Sequence, residues 1–98
     1  MHIVLLTFGA QRHRARDHLA AHNRWIQQGF DDGVFLMTGS LDGARGGMVL
    51  AAHCTPDALA QRVQQDPFVE HGVVDAEILG VSPGQVLPAL APLVGAAH

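Results

Sequence analysis

Two histidines and one aspartate are the residues of this sequence whose types could support acid–base chemistry. His18 and His22 are four positions apart in a segment that predicts a helix, so they occupy neighbouring positions on one helix face. Asp66 stands directly before Pro67 and Phe68. Imidazole exchanges a proton near neutral pH, and an adjacent carboxylate can orient it and stabilise its charged form. Proton transfer by a His–Asp pair is therefore one hypothesis that these residues support.

Each residue also has a purely structural interpretation, and the spacing of the two histidines has a third interpretation, metal binding. A histidine at a helix edge can simply pack there with one hydrogen bond, and an aspartate before Pro67 can cap a helix or turn the chain. The i, i+4 spacing of His18 and His22 is also that of zinc-binding pairs. Leu19 follows His18, however, so the glutamate of a metalloprotease motif is absent. A third metal ligand would have to come from a carboxylate or from another histidine: His13, His53 or His71.

The composition limits the class of protein. The chain has 98 residues, 48% of them hydrophobic and 15% charged, with a formal net charge of −3 and no lysine. A single small domain with so much apolar surface predicts a homodimer, and so few cations argue against a nucleic-acid partner. Cys54 is the only cysteine, and no apolar run is long enough to span a membrane. The first residues lack the charged region and long apolar segment of a signal peptide, so we expect none. These features predict a cytoplasmic protein.

The order of apolar patterns predicts an α+β fold. We expect strands over residues 2–8, 34–38, 48–53 and 73–81, and helices over residues 15–30 and 56–65. Thr55 before Pro56 is a strong helix start, and the residue before Pro67 is a strong helix stop. The resulting β-α-β-β-α-β order is ferredoxin-like, with an antiparallel sheet that has both helices on one face. Two subunits that pack their bare sheet faces together would form a dimeric α/β barrel.

The first helix is predicted to pack through one apolar stripe. Its members fall at i, i+4, i+7 and i+11: Leu19, Asn23, Ile26 and Phe30. With this stripe at the centre, His22 lies about 60° away and His18 about 100° away. We therefore expect His22 to be half covered near the sheet and His18 to face solvent. Residues 1–83 should form the domain, and residues 84–98, which include prolines and several leucines, a C-terminal arm or tail.

Several motifs, in this order and spacing, resemble the pattern of the YciI-related family. They are HNRWIQQGFDDGVFLMTGS over residues 22–40, the pair Gly46-Gly47, the DPF of residues 66–68, and Gly72. That family has a histidine on its first helix, a G-x-(F/L)-L-x-(S/A/T)-G segment, a glycine-bearing hairpin and a DP(F/Y) motif. The histidine eleven residues before the glycine of GVFL is His22. The resemblance extends from residue 1 to about residue 83.

This resemblance implies a dimeric ferredoxin-like protein with a His–Asp pair beside a cleft. His22 would be the general acid or base and Asp66 would set its orientation. We further expect Ser40, Arg12, Arg16 and Phe68 to contact substrate. The two arginines would bind a carboxylate or phenolate group of the substrate. For Ser40 a turn, and for the arginines a solvated helix start, are the structural alternatives.

Three functions remain open at this point. The first is a cofactor-free lyase or isomerase, similar to the dehydrochlorinase and lactone isomerases of related folds, acting on a small aromatic or lactone-like substrate. The second is a non-catalytic dimer that binds a small ligand or accompanies another protein. The third is metal-dependent chemistry through His18 and His22.

Overall fold

The computed structural model describes residues 1–94, in which the chain forms four strands and four helices. The strands are β1 (His2–Phe8), β2 (Phe35–Leu41), β3 (Gly46–Ala51) and β4 (Val74–Gly80). The helices are α1 (Ala15–Asp31), α2 (Pro56–Gln64), α3 (Pro67–Glu70) and α4 (Ala91–Val94), and a single 3₁₀ turn, Arg12–Arg14, precedes α1. The four-residue helix α3 was not predicted.

The four strands form one antiparallel sheet in the order β2-β3-β1-β4. This is the ferredoxin-like arrangement that the sequence predicts, so the fold class is confirmed. Strand β1 occupies a central position because it is apolar on both faces. Its residues Val4 and Leu6 are buried beneath the helices, whereas Ile3 and Leu5 on the opposite face are half-buried.

The β2–β3 hairpin is longer than predicted. Both strands continue into the glycine-rich segment that the sequence assigns to a loop, and Leu41 pairs with Gly46. Gly46 has a φ of +132°, and a Cβ there would lie 2.0 Å from the carbonyl oxygen of Leu6. Only glycine permits this close approach of β3 to β1. The extension places Ser40 and the neighbouring glycines on the sheet itself.

Helix α1 packs through a different face from the predicted one. Leu19 and Phe30 are 48% and 38% exposed, and the buried residues of the helix are His22, Trp25 and Gly29. The ring of Phe35 occupies the space beside Gly29, where a Cβ would lie 2.1 Å from it. Because this close contact and the large Trp25 side chain set the helix rotation, the predicted stripe is displaced toward the edge.

The two short connections after β3 are fixed by side-chain caps. The Thr55 hydroxyl accepts a hydrogen bond from the backbone N–H of Ala58, at 3.1 Å, and starts α2 as predicted. Asp66 performs the same role for α3, because its Oδ1 accepts a bond from the N–H of Phe68 at 3.0 Å. Pro67 is the first residue of that helix, a position where its missing N–H costs nothing.

The sheet face opposite the helices is apolar. A row of large side chains crosses all four strands on this face: Leu79, Ile3, Leu50 and Met37. Met37 is 50% exposed and Leu79 is 40% exposed. In the predicted arm, Leu87, Leu90 and Leu93 are exposed, and residues 95–98 lie outside the described part of the chain. Within residues 1–94, no helix combines the length and apolarity needed to cross a membrane.

Candidate active site

The closest pair of ionisable side chains in the core joins α1 to the start of α3. Nδ1 of His22 lies 2.7 Å from Oδ1 of Asp66, although the two residues are 44 positions apart. His22 is 9% exposed and Asp66 is fully buried. The carboxylate oxygen accepts the bond, so Nδ1 carries the hydrogen and Nε2 is left as the basic nitrogen of the neutral ring. This is the tautomer that a general base needs.

Aromatic packing holds the imidazole in place. The ring of Phe68 lies parallel to the ring of His22, with centroids 3.9 Å apart and planes inclined by 5°. On the α1 side, Trp25 lies 5.9 Å from His22, and its indole N–H donates to the carbonyl oxygen of Arg62 at 2.9 Å. This last bond ties α1 to α2. The His22 ring is therefore fixed by one hydrogen bond and by aromatic neighbours.

A cavity of about 320 Å³ lies between α1 and the helix-covered face of β2 and β3, and His22 is part of its wall. Among the described residues, no protein group forms a hydrogen bond to Nε2 of His22. The remaining wall is mainly apolar, with contributions from Leu6, Phe8, Leu19, Ile26 and Val49. The volume is that of a small-molecule site. His22, with its Nδ1 bonded to Asp66, thus borders a mainly apolar cavity.

The family model of the YCII-related domain matches residues 1–80, which is most of the chain. The chain belongs to the YCII-related domain family. This confirms the resemblance inferred from the motifs. No curated protein matches the sequence.

Among solved structures, 5-chloro-2-hydroxyhydroquinone dehydrochlorinase from Burkholderia phenoliruptrix AC1100, in complex with 2,5-dihydroxybenzoquinone, is similar to this YCII-related protein. The TM-score is 0.68 at 16% sequence identity, over 86% of this chain and 96% of that one. At this identity the likeness concerns the fold.

The other predicted site residues of this YCII-related chain are distributed unevenly. Ser40 and Phe68 both line the cavity. Arg12 lies outside the lining, but its guanidinium carbon is 4.2 Å from the ring centre of Phe8, which is part of the wall. Arg16 borders a separate surface depression near the start of α1 and does not reach the cavity.

His18 does not face solvent as predicted. It is partly buried, its ring stacks on that of His71 with centroids 3.9 Å apart, and its Nε2 is buried without a hydrogen-bond partner in residues 1–94. The prediction was wrong because α1 is rotated, and because α3 brings His71 against it. His18 and His22 thus stack on different partners, and no group of three or more potential metal ligands occurs in residues 1–94.

Two groups with shifted pKa values lie away from the cavity. The Arg62 guanidinium, followed by the amide of Gln28, lowers the pKa of Asp32 through hydrogen bonds. Burial raises the pKa of the Cys54 thiol. Neither Asp32 nor Cys54 lines the cavity. The shift of Asp32 concerns stability, and the shift of Cys54 concerns the reactivity of its thiol.

Sequence reasoning missed two polar residues of the cavity wall, Asn23 and Thr38. Asn23 is a member of the predicted apolar stripe of α1, where a polar residue is unusual. Thr38 was treated only as part of the strand motif. The signal that could have identified Asn23 was its polarity among apolar neighbours.

Proposed function

We propose that this YCII-related protein is a cofactor-free enzyme of the lyase or isomerase type, with His22 as its general acid or base and Asp66 as the residue that positions it. The observation that carries the proposal is the 2.7 Å bond from His22 to the buried Asp66 at the wall of an otherwise mainly apolar cavity. Proton transfer by imidazole needs no bound cofactor.

The reaction would begin when Nε2 of His22 removes a proton from a C–H or O–H group of the substrate. Asp66 stabilises the imidazolium that forms and keeps the ring from turning. In an isomerisation, the imidazolium returns the proton to another atom of the substrate anion. In an elimination, the anion expels a leaving group such as halide, and the proton leaves to solvent. Both routes conserve atoms and charge without an oxidant.

The proposed substrate is a small hydroxylated ring, either aromatic or lactone-like. The dehydrochlorinase of similar fold was solved with 2,5-dihydroxybenzoquinone. A cavity of about 320 Å³ is large enough for a single ring. Arg12, held on the Phe8 ring, is proposed to attract a phenolate or carboxylate, and Ser40 to donate a hydrogen bond to it. Phe68 would contact the ring from the wall.

We also propose that the protein acts as a homodimer in the cytoplasm. The support for the dimer is the apolar row across the bare sheet face, which would be covered when two copies pack face to face. The support for a reducing compartment is the single free cysteine, Cys54.

The proposal is tested by following proton transfer directly. The protein is incubated in D₂O with 2,5-dihydroxybenzoquinone, and separately with 5-chloro-2-hydroxyhydroquinone. Ring hydrogen exchange is read by NMR and chloride release by an ion-selective electrode. We expect one of these reactions to be accelerated by wild type and slowed about 100-fold or more in His22→Gln. His53→Gln, at an exposed loop position, is the matched control.

Two results would overturn the proposal. Equal rates for wild type and His22→Gln would remove the role of the base. Absence of both reactions, together with saturable binding of either compound, would replace catalysis with a ligand-binding function.

A further inference from the structure

The face of α1 that borders the cavity carries one polar residue besides His22. Its four members follow the i, i+3, i+4, i+7 spacing of a single helix face: Leu19, His22, Asn23 and Ile26. A face of this kind is normally apolar throughout when it packs on a sheet. Here the sheet does not fill the space beneath it, because Gly47 and the small Ser40 lie opposite each other on the facing strands. Asn23 therefore faces a cavity and not a packed core.

The carboxamide of Asn23 is free to bind a ligand. Asn23 is an exposed residue, and none of the side-chain hydrogen bonds within residues 1–94 involves its amide. An amide offers two donor hydrogens and an acceptor oxygen. When a ligand displaces water from this amide, binding is weakened unless the ligand replaces the lost hydrogen bonds. Asn23 therefore favours a ligand with an oxygen substituent at that point.

Thr38 presents a second polar group from the strand side of the same cavity. It pairs with Val49 across the hairpin, and Val49 pairs with Val4, so all three point to the helix-covered face of the sheet. Val4 and Val49 are buried, and Thr38 is half-buried at the cavity wall. Its hydroxyl has no hydrogen-bond partner within residues 1–94. The cavity thus has polar groups on both its helix wall and its strand wall.

We propose that Asn23 and Thr38 determine substrate specificity by hydrogen bonding to two oxygen substituents of the substrate ring, while His22 acts on it. This inference rests on the proposed function and defines its substrate class as rings with at least two hydroxyl or oxo groups. Sites that hydrogen-bond a substrate oxygen discriminate strongly against analogues that lack it, because the protein groups are then left unpaired.

The inference is tested by ligand binding, with Trp25 as the reporter. Trp25 is the only tryptophan, and its ring lies 5.9 Å from His22. The probe is 2,5-dihydroxybenzoquinone, and quenching of tryptophan fluorescence gives its Kd. We expect the Kd to rise about 10-fold in Asn23→Leu and about 5-fold in Thr38→Val, and by more in the double variant.

Matched controls use the same substitutions away from the cavity. Gln27→Leu changes an exposed amide one turn further along α1, and Thr7→Val changes an exposed threonine of β1. Both should bind the probe as wild type does. Circular dichroism and thermal unfolding of all five variants, the double variant included, separate a lost contact from a lost fold.

Three outcomes would overturn the inference, and they differ in what they say of the proposed function. If binding of the probe is saturable and its Kd is unchanged in Asn23→Leu and Thr38→Val, the specificity role of these residues is overturned but the proposed function is not. Equal weakening by the control substitutions has the same meaning. Failure of wild type to bind the probe, combined with absence of the His22-dependent reactions described above, overturns both.

Discussion

The imidazole of His22 lies flat on the ring of Phe68, 3.9 Å between centroids, while the backbone N–H of Phe68 shares Oδ1 of Asp66 with Nδ1 of His22. One short segment at the start of α3 thus supplies both the stacking surface and the hydrogen-bond acceptor. The ring cannot flip without losing the hydrogen bond. Capping of α3 and orientation of the His22 ring, which the sequence presents as alternative roles of Asp66, are compatible because the single oxygen Oδ1 accepts both hydrogen bonds.

Replacement of Asp66 by alanine should release the His22 tautomer. It removes the hydrogen-bond acceptor of Nδ1, so the ring hydrogen is no longer held on Nδ1 and can move to Nε2. We expect proton transfer to fall by about 10²–10⁴-fold with a smaller change in KM. Long-range ¹H–¹⁵N spectra should show Nδ1–H in wild type and Nε2–H in Asp66→Ala. Asp75→Ala, at an exposed position of β4, should leave the spectrum unchanged. A wild-type tautomer in Asp66→Ala would contradict the positioning role.

Substitution of Gly29 by alanine should destabilise the fold. Alanine ordinarily strengthens a helix interior by about 1 kcal/mol relative to glycine. At this site, however, the new Cβ would lie 2.1 Å from the Phe35 ring. We expect the free energy of unfolding in urea to fall by about 1–3 kcal/mol. Gly84→Ala, where no atom lies within 4 Å of the added Cβ, is the control and should change it little. A more stable Gly29→Ala protein would show that α1 does not pack on β2 as described.

The elements that were predicted well carry their signals locally. Strand β1 is a continuous apolar run, and α2 begins at a Thr-Pro-Asp cap. The predicted packing face of α1 was wrong, for a reason that hydrophobic periodicity cannot resolve. Leu19 and Asn23 border a cavity, and a cavity wall has the same helical spacing as a packed core. The space itself arises from the small residues Ser40 and Gly47, which pair across the β2–β3 hairpin. Both lie outside α1, so the periodicity of α1 does not reveal this space.

The candidate site also has features that the sequence predicts and features that it does not. His22 and Asp66 were identified by motif order, and their contact spans 44 positions of the chain. The stacking of His18 on His71 was not predicted, because it depends on α3. That helix has four residues, which is too short to leave a periodic pattern.

The ion pair between Arg62 and Asp32 should make a pH-dependent contribution to stability. Arg62 and Gln28 hold the pKa of Asp32 below its usual value through hydrogen bonds. A lowered folded-state pKa means that the contribution is present above the unfolded value, 3.8, and is lost as the pH falls through the folded value. Asp32→Asn should therefore be less stable than wild type at pH 7, and the difference should shrink at about pH 3. The measurement is urea unfolding at both pH values.

The control for this pair is Asp31→Asn, which removes a carboxylate bonded to the Gln27 amide on the same helix. It should show a smaller difference from wild type at pH 7. A stability difference between Asp32→Asn and wild type that is equal at both pH values would contradict the electrostatic explanation.

A charge on the bare sheet face should prevent the proposed dimer from forming. Met37 is half exposed and lies in one row with Leu50, Ile3 and Leu79. Met37→Glu costs little in a monomer, because the carboxylate reaches water, but it would be desolvated between two packed sheets. We expect light scattering to give a dimer for wild type and a monomer for Met37→Glu. Leu87→Glu, an exposed leucine outside the sheet, should remain dimeric. If Met37→Glu is also dimeric, the subunits must associate through another surface.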